Sequence, residues 1–243
     1  MTGPVTAPVG AVPERDVSAA EHTWPPSDDL ARLQALRVDF DALMLRYRAA
    51  IEEVLTKVRI LDDEFRFQNS YNPIEHISSR LKTPESILGK LRRKGLELAV
   101  ASIRESLTDV AGIRVTCSFV SDVYRLLDLL SAHDDLRVLE VEDYIASPKP
   151  NGYRSLQALV EVPVFLSGGP EPVVVELQIR TIAMDFWASL EHKIYYKYDG
   201  AVPSDLVDQL WQAAETAARL DGEMERLHDQ VHRQPLRRDL PPS

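Results

Sequence analysis

From Leu156 to Leu166 the apolar residues fall on every second position (Leu156, Ala158, Val160, Val162, Val164, Leu166), while Ser155, Gln157 and Glu161 take the opposite parity. After Gly168-Gly169-Pro170 the same period returns: Val173, Val175, Leu177 and Ile179 form one side, and Glu176, Gln178 and Arg180 the other. A period of two is that of a strand with one buried face, and two such runs about a Gly-Pro turn predict a hairpin. Two further alternating runs predict strands. In Ile74–Lys82, Ile77 and Leu81 oppose His76, Ser78, Arg80 and Lys82; in Gly112–Phe119, Ile113, Val115, Cys117 and Phe119 oppose Arg114, Thr116 and Ser118. Leu136–Tyr144 is less regular and reads as a strand near an edge.

Elsewhere the spacing is three and four. Leu30, Leu33, Leu36, Phe40, Leu43, Tyr47, Ile51, Leu55 and Val58 predict one long amphipathic helix, or two in succession, capped by Ser27 and ending before Asn72-Pro73. Thr83-Pro84-Glu85 is a helix start, with a capping hydroxyl and Pro at the first helical position. That helix places Ser86, Lys90 and Arg93 on one face, and a second helix is expected from Leu96 to about Leu107 after the Gly95 break. Ser121 is the expected cap of a helix from Asp122 to His133. A helix from Thr181 is expected to bury Ile182, Phe186, Leu190 and Ile194, with Trp187 also in the core. A last helix, opened by Pro203-Ser204-Asp205, is expected to bury Leu206, Leu210, Ala213, Ala217 and Leu220. The order predicts an α+β fold: a mixed sheet of about five strands, helices against one face, and an open charged cleft on the other.

This assigns residues 27–233 to one domain, divided into an N-terminal helical part (27–70), a core (71–200) and a C-terminal helix (203–233). The proline-rich residues 1–26 and the basic residues 234–243 read as loose tails. With 44% hydrophobic and 27% charged residues the composition is that of a globular protein. Neither a membrane-length apolar run nor a signal-peptide pattern is seen, and a cytoplasmic setting is expected. Cys117 is the one cysteine, which excludes an internal disulfide and a cysteine metal cage.

The net charge of −10 argues against sequence-blind nucleic-acid binding over the whole surface. Against that background, Arg80, Lys82, Lys90, Arg92, Arg93 and Lys94 face a single acid, Glu85, between positions 80 and 94. Of these, Arg80, Lys82, Lys90 and Arg93, together with Arg114, Lys149, Arg154 and Arg180, form a cation set suited to several phosphates. Asp109 and Glu176 are the acids placed to hold a divalent ion, and hard carboxylate oxygens suit Mg²⁺. Tyr153, after Gly152, offers a flat face to a base. These features point to phosphoryl or pyrophosphoryl transfer from a nucleoside triphosphate, without a P-loop. Singly, each residue has a plainer reading: Arg92–Lys94 as a solvated helix end, Asp109 as a turn residue, Tyr153 as loop packing, and His192 as structural.

Arg80-x-Lys82-x-x-x-Ser86, Asp109-x-x-Gly112-x-Arg114, Lys149-x-x-Gly152-Tyr153-Arg154-Ser155, Glu176-x-Gln178-Ile179-Arg180-Thr181 and Trp187-Ala188-x-x-Glu191-His192-Lys193 stand in the order seen in (p)ppGpp synthetases. Over about residues 70 to 200 the chain resembles that family, and in length it resembles the small alarmone synthetases. The resemblance implies a nucleotidyltransferase-like fold and transfer of the pyrophosphate of ATP to the 3′-hydroxyl of GTP or GDP, releasing AMP. It implies that Arg80 and Arg114 hold adenine, and that Lys82, Ser86, Lys90 and Arg93 bind the ATP phosphates. Asp109 would ligate Mg²⁺, and Glu176 would bind Mg²⁺ or act as base. Lys149, Tyr153, Arg154, Gln157, Gln178, Arg180 and Asp185 would form the acceptor side, Tyr153 stacking on guanine. It also implies a homo-oligomer, commonly a tetramer, with no membrane partner and no required nucleic acid.

One position departs from the family pattern, which usually has His where this chain has Gln157; glutamine hydrogen-bonds but carries no charge. Two other readings stand beside the first: a tRNA 3′-end pyrophosphokinase, as in toxic relatives of the family, and, because of Gln157, a nucleotide- or RNA-binding regulator with weakened turnover. A generic nucleotidyltransferase is disfavoured, since the Gly-Ser and paired-aspartate signature is missing.

Overall fold

A computed structural model describes residues 27–68, 71–197 and 203–233; the tails expected at 1–26 and 234–243 lie outside the described residues. The chain divides into two units, Met1–Val38 and Asp39–Ser243. Helix α1, Ser27–Gln68, begins in the first and is continuous, so the single-helix alternative holds. The second unit carries β1 (Ile74–Leu81), α2 (Pro84–Lys94), α3 (Val100–Ser106), β2 (Ala111–Cys117), α4 (Val120–Ser131), β3 (Arg137–Asp143), β4 (Leu156–Leu166), β5 (Gly169–Thr181), α5 (Ile182–Lys197) and α6 (Ser204–Arg233).

The five strands form one mixed sheet in the order β1-β2-β5-β4-β3. Only β2 and β5 run parallel, and β3 is an edge as its irregular pattern predicts. The register turns the alternation of each strand into rows across the polar face. Glu142, Gln157, Gln178, Arg114 and Ser78 are successive cross-strand partners; so are Glu140, Leu159, Glu176, Gly112 and Arg80. Side chains on cross-strand partners lie on the same side of a sheet, so each row brings together residues up to 100 positions apart in sequence. A bulge between Ile74 and His76 resets the parity of β1, and both Ile74 and Ile77 then meet the core.

The apolar face is covered by α1 through Leu43, Tyr47, Ile51, Val54 and Val58, by Ile87 and Leu91 of α2, by Ile103 of α3 and by Val123, Leu126 and Leu130 of α4. Burying chains of this size contributes roughly 1.5–3 kcal/mol each, which is why long amphipathic helices are held here at all. Cys117 is fully buried within this core, and burial, with the charges of Asp122 and Glu75, pushes its thiol pKa up to about 12. Iodoacetamide is expected to leave Cys117 unmodified in the native protein and to alkylate it in urea; intact-mass spectrometry reads the difference.

Three expectations are corrected. Helix α3 starts at Val100, four residues later than Leu96. Helix α4 is capped not by Ser121 but at Phe119, whose amide donates to the Asp122 carboxylate at 3.2 Å. The core stripes of the last two helices are displaced: Ile182, Phe186 and Leu190 are exposed, and α5 buries Met184 and Ala188 together with the expected Trp187. In α6 the expected Leu210 is buried, joined by Ala214 and Asp221, while Ala213 and Leu220 face outward. The physical reason is that α5 and α6 pack on each other and on Tyr153 as a separate small cluster, not against the main core. Among the described residues no helix is long and apolar enough to cross a membrane.

Candidate active site

The polar face holds two pockets that share one residue. The first, of 120 Å³, is lined by Ser78, Ser79, Arg80, Gly112, Ile113, Arg114, Glu176 and Gln178. The second, of 210 Å³, is lined by Thr108, Glu140, Glu142, Gln157, Ala158, Leu159 and Glu176. Glu176 stands between them because β5 is the middle strand of the sheet.

In the first pocket Arg80 lies across its neighbour strand, and a Cβ on Gly112 would approach its Nε to 3.2 Å. Glycine at 112 thus leaves room for the guanidinium, whose Nη2 donates to Glu176 Oε2 at 3.3 Å. Gln178 Nε2 donates to the same oxygen at 3.1 Å. Arg114 is half-buried, and burial and the charge of Arg180 lower its pKa against the pull of Asp185, 3.6 Å away.

Beside this pocket the link from β1 to α2, α2 itself and the loop before β2 form a second group. Lys82 Nζ reaches Asp109 Oδ2 at 2.5 Å and Lys90 Nζ reaches it at 2.9 Å. Burial pushes the Asp109 pKa upward, but the hydrogen bonds and charges of the two lysines outweigh it, and the net shift is downward. The remaining oxygen, Oδ1, is buried and has no hydrogen-bond partner among the described residues. Ser86 and Arg93, from the same helix, are exposed. Thr83, as predicted, caps this helix by accepting from the Ser86 amide at 3.3 Å.

The loop between β3 and β4 builds the other end. Tyr153 Oη accepts from Arg180 Nη2 at 2.6 Å and from Gln157 Nε2 at 2.8 Å, and it meets Ser155 Oγ at 3.0 Å. Two donors occupy both lone pairs of the phenol, and its ring lies beside Arg180, Lys149 and the α5–α6 cluster. Gln157 therefore holds an aromatic platform, a role that needs a donor and no charge. Arg180 is 4% exposed, so its charge is met inside the protein by Asp185 Oδ1 at 3.2 Å, Gln178 Oε1 at 3.1 Å and the Tyr153 ring at 5.0 Å from its centroid. Lys149 Nζ sits over the rings of Tyr144 at 4.1 Å and Tyr153 at 5.2 Å. Arg154 is spent on Glu215 of α6 and on the Ile145 carbonyl at 3.3 Å.

The structure thus joins Arg80, Arg114, Glu176, Gln178, Arg180, Asp185, Tyr153 and Gln157 in one hydrogen-bonded and ion-paired chain, and sets Asp109 with Lys82 and Lys90 in another. Sequence reasoning missed Tyr144, Glu140, Glu142 and Glu215. The parity of β3 could have flagged the two glutamates; nothing in the α6 sequence singles out Glu215.

The region found in RelA / SpoT proteins matches residues 79–201, and the chain belongs to this family. Among its relatives, GTP pyrophosphokinase YwaC of Bacillus subtilis is 49% identical over 192 residues, 79% of this chain and 91% of the relative. GTP pyrophosphokinase YjbM of the same organism is 38% identical over 79% of this chain and 90% of its own. The crystal structure of small alarmone synthetase 1 from Bacillus subtilis bound to its product pppGpp superposes with a TM-score of 0.73 at 38% identity, covering 79% of this chain and 97% of that one. The same synthetase bound to AMPCPP gives 0.68 at 33% identity, with 80% and 98% covered.

Proposed function

We propose that this protein is a GTP/GDP 3′-pyrophosphokinase, an ATP:GTP 3′-diphosphotransferase that makes pppGpp and ppGpp. The observation that carries the reading is Glu176, the one side chain common to the two pockets, which is where a group shared by donor and acceptor must stand. Relatives named GTP pyrophosphokinase and neighbours bound to pppGpp and AMPCPP support it.

On this reading Arg80 and Arg114 hold the donor base, and Lys82, Ser86, Lys90 and Arg93 receive its phosphates. The acceptor base stacks on Tyr153, with Lys149 beside it, Gln157 lining the second pocket and Gln178, its cross-strand partner, lining the first. The acceptor 3′-oxygen attacks the β-phosphorus of ATP and gives its proton to Glu176. The bond from the β-phosphorus to the bridging oxygen of the α-phosphate breaks, and AMP leaves. Asp109 and Glu176 would hold Mg²⁺, and the unpartnered Oδ1 of Asp109 fits a cation ligand. That ion supplies charge neutralisation on the transferring phosphates.

An RNA acceptor is the second enzymatic reading, and label on tRNA in place of free nucleotide would favour it. The regulator reading rested on Gln157, which here does work as a hydrogen-bond donor to Tyr153. Ile182, Phe186, Leu220 and Met224, exposed around an apolar groove of 740 Å³ between α5 and α6, support the homo-oligomer the family resemblance implies. The substrates suit a cytoplasmic nucleotide pool.

Purified protein with labelled ATP, Mg²⁺ and, in parallel, GMP, GDP, GTP, ADP or tRNA is expected to label GDP and GTP at the 3′ position with stoichiometric AMP. Label on tRNA alone would move the assignment to the RNA-directed enzyme. Tight nucleotide binding with no product would move it to the regulator.

A further inference from the structure

Arg154 belongs to the basic loop by sequence, yet its guanidinium is not free for a substrate. Nη2 is ion-paired with Glu215 of α6, Nη1 donates to the Ile145 carbonyl, and Nε is buried without a partner among the described residues. The rest of the loop is fastened at the same place. Gly152 is buried at φ +89, where L side chains are strained, and a Cβ there would stand 2.6 Å from the Cβ of Ala214 and 3.3 Å from the Cα of Trp211. The turn is closed by Gly152 N donating to the Lys149 carbonyl at 2.8 Å and Lys149 N donating to the Tyr153 carbonyl at 3.1 Å. Asn151 reaches α5 through Glu191 at 3.0 Å, and its own side-chain oxygen accepts from the Tyr153 amide at 3.1 Å. In turn α6 is tied to α5, since Trp187 Nε1 donates to the Leu210 carbonyl at 2.9 Å.

The geometry points to Glu215 as a positioning residue. Through Arg154 it clamps residues 149–154 against α6, so that the C-terminal helix sets how firmly Tyr153 and Lys149 are presented to the acceptor. This rests on the proposed function only for the identity of the acceptor; the clamp itself is a property of the ligand-free chain. Glu215 is partly exposed, with 43% of its side chain accessible, and it lines neither pocket. Its removal therefore loosens the loop without touching reacting atoms. A charge-assisted bond of this kind is worth enough to change affinity by about tenfold when it is lost.

Two readouts test it. In hydrogen–deuterium exchange of the ligand-free protein, Glu215→Gln is expected to raise exchange at the amides of 149–154 while strands β2 and β5 stay protected. In the steady state, Glu215→Gln is expected to raise the acceptor KM about tenfold, with kcat and the ATP KM changed little. Arg154→Gln is expected to match it, and the double variant to cost no more than either single one. Unchanged loop exchange in Glu215→Gln overturns the clamp whatever the enzyme makes. So does a double variant whose losses add, because Arg154 would then be contacting the acceptor by itself. Absence of product from the wild type would strike the functional reading alone and leave the exchange result to judge the clamp.

Discussion

Glu176→Gln is expected to lower the rate of transfer about 10³-fold while ATP and GDP still bind, as measured by single-turnover product formation and by equilibrium binding on the same preparation. The side chain keeps its size and one acceptor oxygen, so the contacts from Arg80 Nη2 and Gln178 Nε2 have a partner to keep. What is lost is a carboxylate able to take a proton from the attacking hydroxyl, and a positioned base contributes 10²–10⁴ in rate. Loss of a charge-neutralising metal ligand would add to this. Activity within a few-fold of wild type would remove Glu176 from the chemistry, and with it the reason for placing donor and acceptor on either side of it.

Arg180→Met is expected to cost about 3 kcal/mol of stability, read as a shift in the urea midpoint at unchanged slope. The guanidinium is buried and serves three partners at once: Asp185, Gln178 and the Tyr153 hydroxyl. Taking it away leaves Asp185 with Arg114 at 3.6 Å, and it leaves the phenol with Gln157 and Ser155. The acceptor KM should rise in the same variant because the platform loses its strongest anchor, whereas the ATP KM should move little. Arg180→Lys keeps the charge but loses the planar fork, and should fall between the two. A midpoint unmoved by Arg180→Met would mean that the buried network carries no net stabilisation.

These expectations differ in how far the chain alone could have supplied them. The hairpin of β4 and β5 was legible because eleven- and thirteen-residue strands with one buried face repeat every second residue. Glu176, Gln178 and Arg180 fell on the polar side for the same reason. The start of α2 was legible because Thr83, Pro84 and Glu85 act within one turn of themselves. Helices α5 and α6 misled, since an amphipathic stripe says that some face is apolar and not which neighbour covers it. Phe186, 65% exposed, and the buried Asp221 show how a helix packed on another helix departs from the stripe that a sheet would select.

By itself the sequence determined the polar and apolar faces of the strands, the cation-rich helix after Thr83 and the family motifs, because each is set by residues a few positions apart or by their order along the chain. The tertiary structure alone decided that Glu176 is shared by two pockets, that Gln157 and Arg180 converge on one phenol, and that Arg154 answers to Glu215 sixty-one residues away. Those outcomes depend on strand order, register and the seat of α6, which are fixed by packing between distant segments and leave no local period to read.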